Sequence, residues 1–245
     1  MYELDFSGKT VLVIGGSSGI GNGIAQNFRQ RGAEVHVWGT RASAAAYHDS
    51  PDSNLQGLHY AQVDVADAAQ IEAVSVPFTR LDVLVQAQGT VLYDRQEFLT
   101  QGFKHVIDVN LTSLMVCAQK FHPLLMEAKG SMITVSSAAA FHSTRGNPAY
   151  NASKTGAFGL TRTLAEAWAR DGIRVNGIAP GLVETKLTRV TTSNPKRLEG
   201  ALRAIPQGRL GTPQDMANVA MFLASPLASY VLGQTLLVDG GMLLA

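Results

Sequence analysis

The sequence is short of cysteine and of charge, and each shortage excludes a class of protein. Cys117 is the only cysteine in 245 residues, which excludes an intrachain disulfide and a cysteine-based zinc site. Charged residues make up 16% of the chain, their formal balance is +1, and no basic run is present. This composition does not favour a nucleic-acid or anionic-membrane surface. The six histidines show no paired ligand spacing, so we predict no metal site.

Long apolar runs are also missing. The first residues, Met1-Tyr-Glu-Leu-Asp-Phe, lack the basic and apolar regions of a secretory signal. No uninterrupted apolar run reaches the about 18 residues that a membrane span needs. We therefore expect a cytoplasmic protein without a membrane or nucleic-acid partner. Hydrophobic residues nevertheless make up 46% of the chain, which is enough for a compact core.

Short apolar runs alternate with amphipathic patterns along the chain. The runs predict strands, with their exits, at 9–14, 32–41, 58–65, 81–85, 130–137, 173–179 and 233–241. The amphipathic patterns predict helices at 20–28, 67–74, 103–126, 149–168 and 215–224. This alternation predicts parallel strands joined by right-handed crossovers. Because no linker interrupts it, we expect one doubly wound α/β domain over 1–245, with about seven parallel strands and helices on both faces.

The first predicted strand continues directly into a glycine-rich loop and a helix. The loop is Gly15-Gly-Ser-Ser-Gly-Ile-Gly21, and Ile24 and Phe28 follow on one helical face. Glycines let the backbone approach a pyrophosphate, and a helix N-terminus offers it free N–H groups and positive charge. We therefore predict a dinucleotide site rather than an ordinary tight turn. The predicted contacts are Gly15, Ser17, Ser18, Gly19, Ile20 and Gly21.

The end of the second predicted strand bears on which dinucleotide binds. NAD enzymes of this type place an acidic residue there to hydrogen-bond the adenosine ribose. This chain has Gly39 followed by Thr40 and Arg41, so nothing repels a 2′-phosphate and Arg41 can pair with it. We predict NADP(H), with NAD(H) as the alternative. Asp64 and Val65 end the third strand and are predicted to contact the adenine edge.

A tyrosine and a lysine form a candidate acid. Tyr150 and Lys154 are four residues apart, which places them one turn apart on the same face of the predicted helix. A free phenol has a pKa of about 10, and a neighbouring ammonium lowers that pKa. Ser137 ends a predicted strand, where α/β sheets place ligands. Taken alone, the tyrosine–lysine spacing also fits a solvated pair with no catalytic role.

Two further segments have both a functional and a purely structural interpretation. Asn110 lies within the long predicted helix, where a polar side chain is either solvated or catalytic. The polar stretch 182–206 predicts one or two short helices, either as a lid at 184–206 over a site or as a surface excursion. The residues expected to line the substrate pocket with this lid are Ala138, His142 and Asn147.

Assembled in order, these motifs resemble the short-chain dehydrogenase/reductase (SDR) family over nearly the whole chain. Each motif is weak alone, but their order and spacing together are specific. Within the family, the pattern is most similar to the bacterial 3-oxoacyl acyl-carrier-protein reductase branch. The matching segments are Gly15-x-x-x-Gly19-Ile-Gly21, Asp64-Val65, Asn110, Ser137, Tyr150-x-x-x-Lys154, Asn176-x-Ile-x-Pro180-Gly181-x-x-x-Thr185 and the terminal Gly233-Gln-Thr-Leu-Leu-Val-Asp-Gly-Gly.

The resemblance implies a Rossmann-type fold, a homotetramer, and an oxidoreductase that interconverts a ketone and a secondary alcohol with a nicotinamide cofactor. Tyr150 would be the general acid/base, and Lys154 would lower its pKa and hold the nicotinamide ribose. Ser137 would hydrogen-bond the oxygen of a small-molecule substrate, and Asn110 would hold a water that relays protons. The cofactor contacts that the resemblance adds are Ala87, Gln88, Gly89, Tyr150, Lys154, Pro180, Gly181, Val183 and Thr185.

The resemblance is incomplete after the fourth predicted strand. Family members carry Asn-Asn-Ala-Gly or a near variant there, whereas this chain has Gln86-Ala87-Gln88-Gly89. Gly89 still allows a close approach to a cofactor. We expect Gln86 or Gln88 to replace the missing asparagine as a hydrogen-bonding group between strands.

Three other functions are compatible with parts of the pattern. The first is an NAD-dependent alcohol dehydrogenase of the same family. The second is a nucleotide-binding regulatory or structural protein without turnover, which is disfavoured because all four catalytic residues are present. The third is an epimerase or dehydratase of the extended relatives, for which 245 residues leave little room.

Overall fold

The computed structural model describes residues 4–244, and its centre is one β-sheet. The predicted domain limits, residues 1 and 245, lie outside this range. Within it, seven strands form the sheet: β1 (Thr10–Ile14), β2 (Glu34–Gly39), β3 (His59–Gln62), β4 (Val83–Gln86), β5 (Ser131–Val135), β6 (Arg174–Pro180) and β7 (Thr235–Val238). Their order is β3-β2-β1-β4-β5-β6-β7 and all neighbouring pairs are parallel. The order reverses between β1 and β4, the kind of point at which open α/β sheets bind ligands.

The helices cover both faces of the sheet. In the described residues they are α1 (Gly19–Gln30), α2 (Ala68–Ala73), α3 (Thr100–Ile107), α4 (Ser113–Ala128), α5 (Pro148–Trp168), α6 (Arg189–Thr192), α7 (Pro195–Ala204) and α8 (Pro213–Ala224). Helices α1 and α8 pack together in one layer, and α2 and α4 contact each other in the other. The predicted doubly wound α/β fold with seven parallel strands is confirmed.

Alternate residues of β1 show why its sequence is continuously apolar. Val11 and Val13 belong to a core cluster that includes Phe28 of α1. Leu12 and Ile14 belong to a second cluster that includes Phe121 of α4. A strand covered by helices on both faces has no solvated side and needs no polar alternation.

The structure divides the helix that the sequence predicted over 103–126. Helix α3 ends at Ile107, a π-helical turn spans Asp108–Thr112, and α4 begins at Ser113. Apolar residues keep a helical spacing on either side, which is why the pattern predicted one continuous helix. Turns of this kind occur often at functional sites.

The other predicted elements are present, with bounds shifted by a few residues. The shortening is marked at both sheet edges, where the run 58–65 contains only β3 and the run 233–241 contains only β7. The polar segment 182–206 contains a 3-10 turn at Lys186–Thr188 followed by α6 and α7. Among the helices of residues 4–244, none combines the length and apolarity needed to cross a membrane.

Candidate active site

A cavity of about 680 Å³ lies at the carboxyl ends of the strands, where the sheet order reverses. Its walls come from the loops that follow β1 to β6. The sequence-predicted residues that line it are Gly15, Ser17, Ser18, Gly19, Ile20, Gly21, Thr40, Asp64, Val65, Ala87, Gln88, Gly89, Ser137, Tyr150, Lys154, Pro180, Gly181, Val183 and Thr185. Of the predicted catalytic and cofactor-binding residues, Asn110 and Arg41 lie outside this lining.

The glycine-rich loop passes so close to its neighbours that side chains do not fit. A Cβ atom at Gly15 would lie 2.7 Å from the Gln88 amide nitrogen, and one at Gly21 would lie 2.2 Å from the Gly15 carbonyl oxygen. Gly15 also has a φ of 73°, in the left-handed region that favours glycine. The loop leads into the N-terminus of α1. Bare backbone beside a helix N-terminus suits a pyrophosphate, so these residues fit a dinucleotide.

The two glutamines at the end of β4, expected to replace the missing asparagine, make hydrogen bonds to neighbouring elements. Gln86 is fully buried, and its Nε2 donates to the Leu114 carbonyl oxygen at 3.1 Å and lies 3.3 Å from Sδ of Met132 on β5. Gln88 Nε2 donates to Gln86 Oε1 at 3.2 Å and to Ser113 Oγ at 3.0 Å. The pair ties the end of β4 to α4 and β5.

Asn110 lies in the π-helical turn and is fully buried behind the cavity wall. Its Oδ1 accepts a hydrogen bond from the Thr90 amide at 2.7 Å, and its Nδ2 donates to the Thr90 carbonyl at 2.8 Å and to Ser153 Oγ at 3.1 Å. Both amide hydrogens are used in these bonds. Asn110 thus holds the loop after β4 against α5, and the water relay implied by the resemblance stays a prediction.

Ser137 and Tyr150 bring two hydroxyl groups to the same cavity. Ser137 follows β5, and Tyr150 lies in the first turn of α5, which Pro148 begins. Burial raises the pKa of Tyr150 above its usual value, and the neighbouring Ser137 hydroxyl offsets part of this rise. The phenol therefore carries its proton at neutral pH and is able to donate it.

Lys154 lies one turn further along α5, with Nζ 5.7 Å from the centre of the Tyr150 ring. The side chain is 4% exposed and Nζ donates to the Val135 carbonyl oxygen at 2.9 Å. Burial lowers the pKa of Lys154 from 10.5 to about 8. Burial is the largest influence on the Tyr150 pKa and its direction is upward, so the lowering by Lys154 that the resemblance implies stays a prediction. Burial favours the uncharged form of both groups, so it raises the pKa of the phenol and lowers the pKa of the ammonium.

Sequence reasoning missed Glu97, a fully buried carboxylate beside the tyrosine. Its Oε2 accepts from the Tyr150 amide at 2.9 Å, and its Oε1 accepts from the Leu92 amide at 3.0 Å and from Asn147 Nδ2 at 3.3 Å. Amides in the first turn of a helix have no intrahelical acceptor, so Glu97 caps α5 from another segment. Glu97 precedes Tyr150 by 53 residues, and no local pattern connects them.

At the far end of the cavity, the end of β2 is packed against two hydroxyl groups. A Cβ atom at Gly39 would lie 2.6 Å from Ser17 Oγ and 2.7 Å from Tyr47 Oη. The glycine that suggested an open phosphate site is therefore also required by local packing. Thr40 and Ser17 keep their hydroxyl-bearing side chains on the cavity wall.

Arg41 does not line the cavity, so its predicted phosphate contact stays a prediction. Its guanidinium donates to the Ala46 carbonyl oxygen and, at 2.8 Å, to Ser50 Oγ. The guanidinium carbon also lies 4.4 Å from the centre of the Tyr47 ring. The loop after β2 folds back towards the strand end and supplies these partners, which a pattern over three residues does not reveal.

Asp52 is a second residue that sequence reasoning missed. Its carbonyl oxygen accepts from the Gly19 amide at 2.8 Å, and Asn22 holds the same loop through two 2.8 Å hydrogen bonds to the Asn54 backbone. The Asp52 side chain lines the cavity, and its Oδ2 is buried without a hydrogen-bond partner among residues 4–244. The Asp52 backbone is thus bonded to the glycine-rich loop, and its carboxylate belongs to a residue of the cavity wall even though β2 ends in glycine.

The segment 184–206 forms part of the opposite wall. Lys186, Leu187 and Thr188 line the cavity, and Tyr93 Oη donates to the Leu187 carbonyl oxygen at 2.7 Å. This bond connects the segment to the loop after β4. The remaining lining residues on this side, which the sequence did not predict, are Thr90, Val91, Tyr93, His105 and Val109.

The three residues predicted to line the substrate pocket do not line the cavity. Ala138 is buried in a 3-10 turn and His142 is exposed. Asn147 instead donates to the Leu92 carbonyl oxygen at 2.8 Å and to Glu97. Nearness to Ser137 and Tyr150 in sequence was a poor guide because the chain turns away from the cavity between them.

Comparison with known proteins gives the family of this chain. Residues 14–243 match the family model described as enoyl-(acyl carrier protein) reductase. A 3-oxoacyl-(acyl carrier protein) reductase of Chlamydia pneumoniae is 37% identical over 247 residues, covering 98% of this chain and 99% of that protein. A 3alpha-hydroxysteroid dehydrogenase of Mediterraneibacter gnavus is 34% identical, covering 95% of this chain and 96% of that protein.

A solved structure agrees with these relatives. The crystal structure of a putative 2-deoxy-D-gluconate 3-dehydrogenase from Agrobacterium tumefaciens with bound NADP has a TM-score of 0.89 and 33% identity, covering 100% of both chains. Fold and site together define an NAD(P)-dependent oxidoreductase acting on CH–OH or keto groups. The chain belongs to the short-chain dehydrogenase/reductase family.

Proposed function

We propose that the protein interconverts a ketone and a secondary alcohol with NADP(H), using Tyr150 as general acid/base. The observation that carries this proposal is the convergence of Ser137, Tyr150 and Lys154 on the cavity that the glycine-rich loop enters. Two hydroxyl donors beside a nucleotide site suit a carbonyl oxygen that gains negative charge during reduction. A bound nicotinamide cofactor would supply or accept the hydride.

Each catalytic side chain has a separate task in this proposal. Tyr150 donates its proton to the substrate oxygen in reduction and removes it in oxidation, while Ser137 hydrogen-bonds the same oxygen. Lys154 holds the nicotinamide ribose and places its ammonium beside the phenol. Asn110 keeps the loop after β4 in place and accepts a hydrogen bond from a relay water through Oδ1. Because its pKa is raised, Tyr150 carries the proton that reduction needs at neutral pH.

Different parts of the cavity would hold different parts of NADP(H). The glycine-rich loop would bind the pyrophosphate, Asp64 and Val65 the adenine, and Val183 and Thr185 the carboxamide. Hydroxyl groups of Ser17, Ser18 and Thr40 would bind the 2′-phosphate. The NADP bound to the Agrobacterium tumefaciens relative supports this choice. The Asp52 carboxylate would repel a 2′-phosphate and so favours NAD(H). The affinity for NADH relative to NADPH is therefore the measurement that decides between the two cofactors.

The substrate class we favour is a 3-oxoacyl thioester, because a relative named for that activity covers nearly the whole chain. The hydroxysteroid dehydrogenase and the sugar-acid dehydrogenase keep steroids and sugar acids as competing classes. The matched family model is described as an enoyl reductase. Two hydroxyl donors at one point suit a carbonyl oxygen better than a carbon–carbon double bond.

A coupled screen of NADPH oxidation tests the proposal. The panel contains 3-oxoacyl thioesters, steroid ketones, keto sugar acids, aryl ketones and an enoyl thioester, each also run with NADH. We expect turnover of at least one ketone class, with higher kcat/KM for NADPH than for NADH. Tight NADPH binding without turnover of any panel member would favour the nucleotide-binding regulator instead.

We also propose that the segment 184–206 is a substrate lid on a single domain. We propose further that the chain forms a homotetramer and acts in the cytoplasm. The contacts of Leu187 with the cavity and Tyr93 support the lid. Exposed apolar side chains on or before α3 and α4 support the oligomer: Phe98, Leu99, Phe103 and Met115. Size-exclusion chromatography with light scattering should give four chains; a monomer would contradict the oligomer.

A further inference from the structure

Three side chains that can ligate a metal lie together at the edge of the sheet, away from the cavity. Glu34 and His36 are on β2, and His59 begins β3. His36 and His59 are directly opposite each other in the parallel register. Glu34 is two residues before His36 and so shares its face of the sheet. Sequence spacing predicted no metal ligands because strand pairing, not local spacing, brings the two histidines together.

The ligand atoms are arranged closely enough for one ion. His36 Nε2 lies 3.1 Å from Glu34 Oε1, and His59 Nε2 lies 3.9 Å from the same oxygen. One ligand atom from each of the three residues lies within 4.8 Å of the others. In a tetrahedral zinc site with bonds of about 2.0–2.2 Å, ligand atoms lie about 3.3 Å apart. Glu34 and His59 are exposed, which leaves both side chains room to rotate.

The chemistry of the cluster suits a transition metal. His36 is 6% exposed, and its ring stacks on His59 at 4.7 Å and lies 4.8 Å from the Phe78 ring. Imidazole nitrogens are the commonest metal ligands in proteins. Glu34 and His59 are exposed, which gives an ion access and leaves a fourth position for water. Two imidazoles and a carboxylate are a ligand set that zinc accepts.

We propose that Glu34, His36 and His59 bind one divalent transition-metal ion, with zinc favoured, and that the ion clips β3 to β2. Among the described strands, β3 is an edge strand of four residues paired only with β2. None of the three ligands lines the cavity, so the role is structural rather than catalytic. An ion bound by the folded chain stabilises it in proportion to the logarithm of its concentration over Kd.

The test is a titration of chelator-treated, metal-free full-length protein with zinc chloride, followed by calorimetry. Cobalt(II) chloride in place of zinc provides a visible absorption signature. We expect one ion per chain. Glu34→Gln and His59→Ala should each weaken binding by at least about tenfold, the loss seen even for outer-shell partners of a metal. Both positions are exposed, so the variants keep the fold, whereas buried His36 is left unchanged.

His48→Ala is the matched control, because His48 is an exposed histidine outside the cluster. It should bind zinc like the wild type, and zinc should raise the melting temperature of both proteins by more than that of His59→Ala. Two results would overturn the proposal: no stoichiometric ion in the wild type, or equal zinc affinity in His59→Ala and the wild type.

Discussion

The two ends of the cavity are built in different ways. At the catalytic end, Asn110, Glu97 and Lys154 are at most 4% exposed and are held by hydrogen bonds between helices, strands and the loop after β4. At the end proposed to hold the adenosine, which is called the adenosine end below, the wall is built by the loop after β2. In this loop Arg41 is exposed and Asp52 is half-buried. Substitutions at the first end should therefore change turnover and stability, and those at the second should change cofactor choice.

Among the residues that surround Tyr150, the largest effect is expected from Lys154→Met. Losing the ammonium beside Tyr150 should lower kcat by roughly 10²- to 10³-fold, a loss typical of impaired proton transfer.

The same variant should also reveal how much free energy of folding the buried charge of Lys154 costs. Since folding lowers the lysine pKa from 10.5 to about 8, the unfolded chain binds more protons in that window and wild-type stability rises with pH there.

Denaturant unfolding at several pH values checks this sign. The stability of Lys154→Met minus that of the wild type should fall by on the order of 2 to 3 kcal/mol between about pH 7 and about pH 10. The lost bond to the Val135 carbonyl shifts the difference at every pH equally and does not alter this slope. A difference that is flat with pH would show that Lys154 is not buried as a charge.

A second, smaller effect is expected at Glu97. Glu97→Ala removes the buried acceptor of three partly buried donors, which should lower the free energy of unfolding by about 2 to 4 kcal/mol. Glu97→Gln keeps the shape and one acceptor oxygen, so it should lose less stability. Chemical denaturation of both variants measures this order.

The pH profile separates a positioning role of Glu97 from a purely structural one. Because its charge contributes to the raised pKa of Tyr150, Glu97→Gln should move the alkaline limb of the kcat profile to lower pH. An unchanged limb in a folded, active variant would leave Glu97 with only a structural role.

The smallest effect is expected at the adenosine end, in Asp52→Asn. Removing one charge from a half-exposed position should tighten NADPH binding by about 3- to 10-fold, because the 2′-phosphate carries about 1.5 to 2 negative charges. NADH affinity should change little. Calorimetric titration with both cofactors measures this ratio, and equal changes for both would show that Asp52 does not face the phosphate.

Arg41→Ala completes the comparison. The observed contacts with Ala46, Ser50 and Tyr47 predict a small loss of affinity for both cofactors through a looser loop. A loss of tenfold or more for NADPH alone would restore the phosphate contact that the sequence predicted. The two variants together decide what sets cofactor choice at this end.

The difference between the ends also explains what the sequence could predict. Tyr150 and Lys154 are one helical turn apart, and Ser137 and the glycine-rich loop lie at strand ends, so local spacing located all of them. Asp52 and Glu97 contact residues far away in sequence through loop conformations that no periodic pattern encodes. The same holds for the π-helical turn at Asn110. Burial, which is the largest influence on the Tyr150 pKa, is not visible in the sequence.

The central claim is that Tyr150 transfers the proton to or from the substrate oxygen. The direct measurement compares Tyr150→Phe with the wild type at saturating NADPH and saturating ketone from the class that the screen identifies. Rapid-mixing absorbance should show NADPH oxidation slowed by about 10²- to 10⁴-fold, with the Kd for NADPH changed by no more than about twofold. A variant that oxidises NADPH at the wild-type rate would contradict the account.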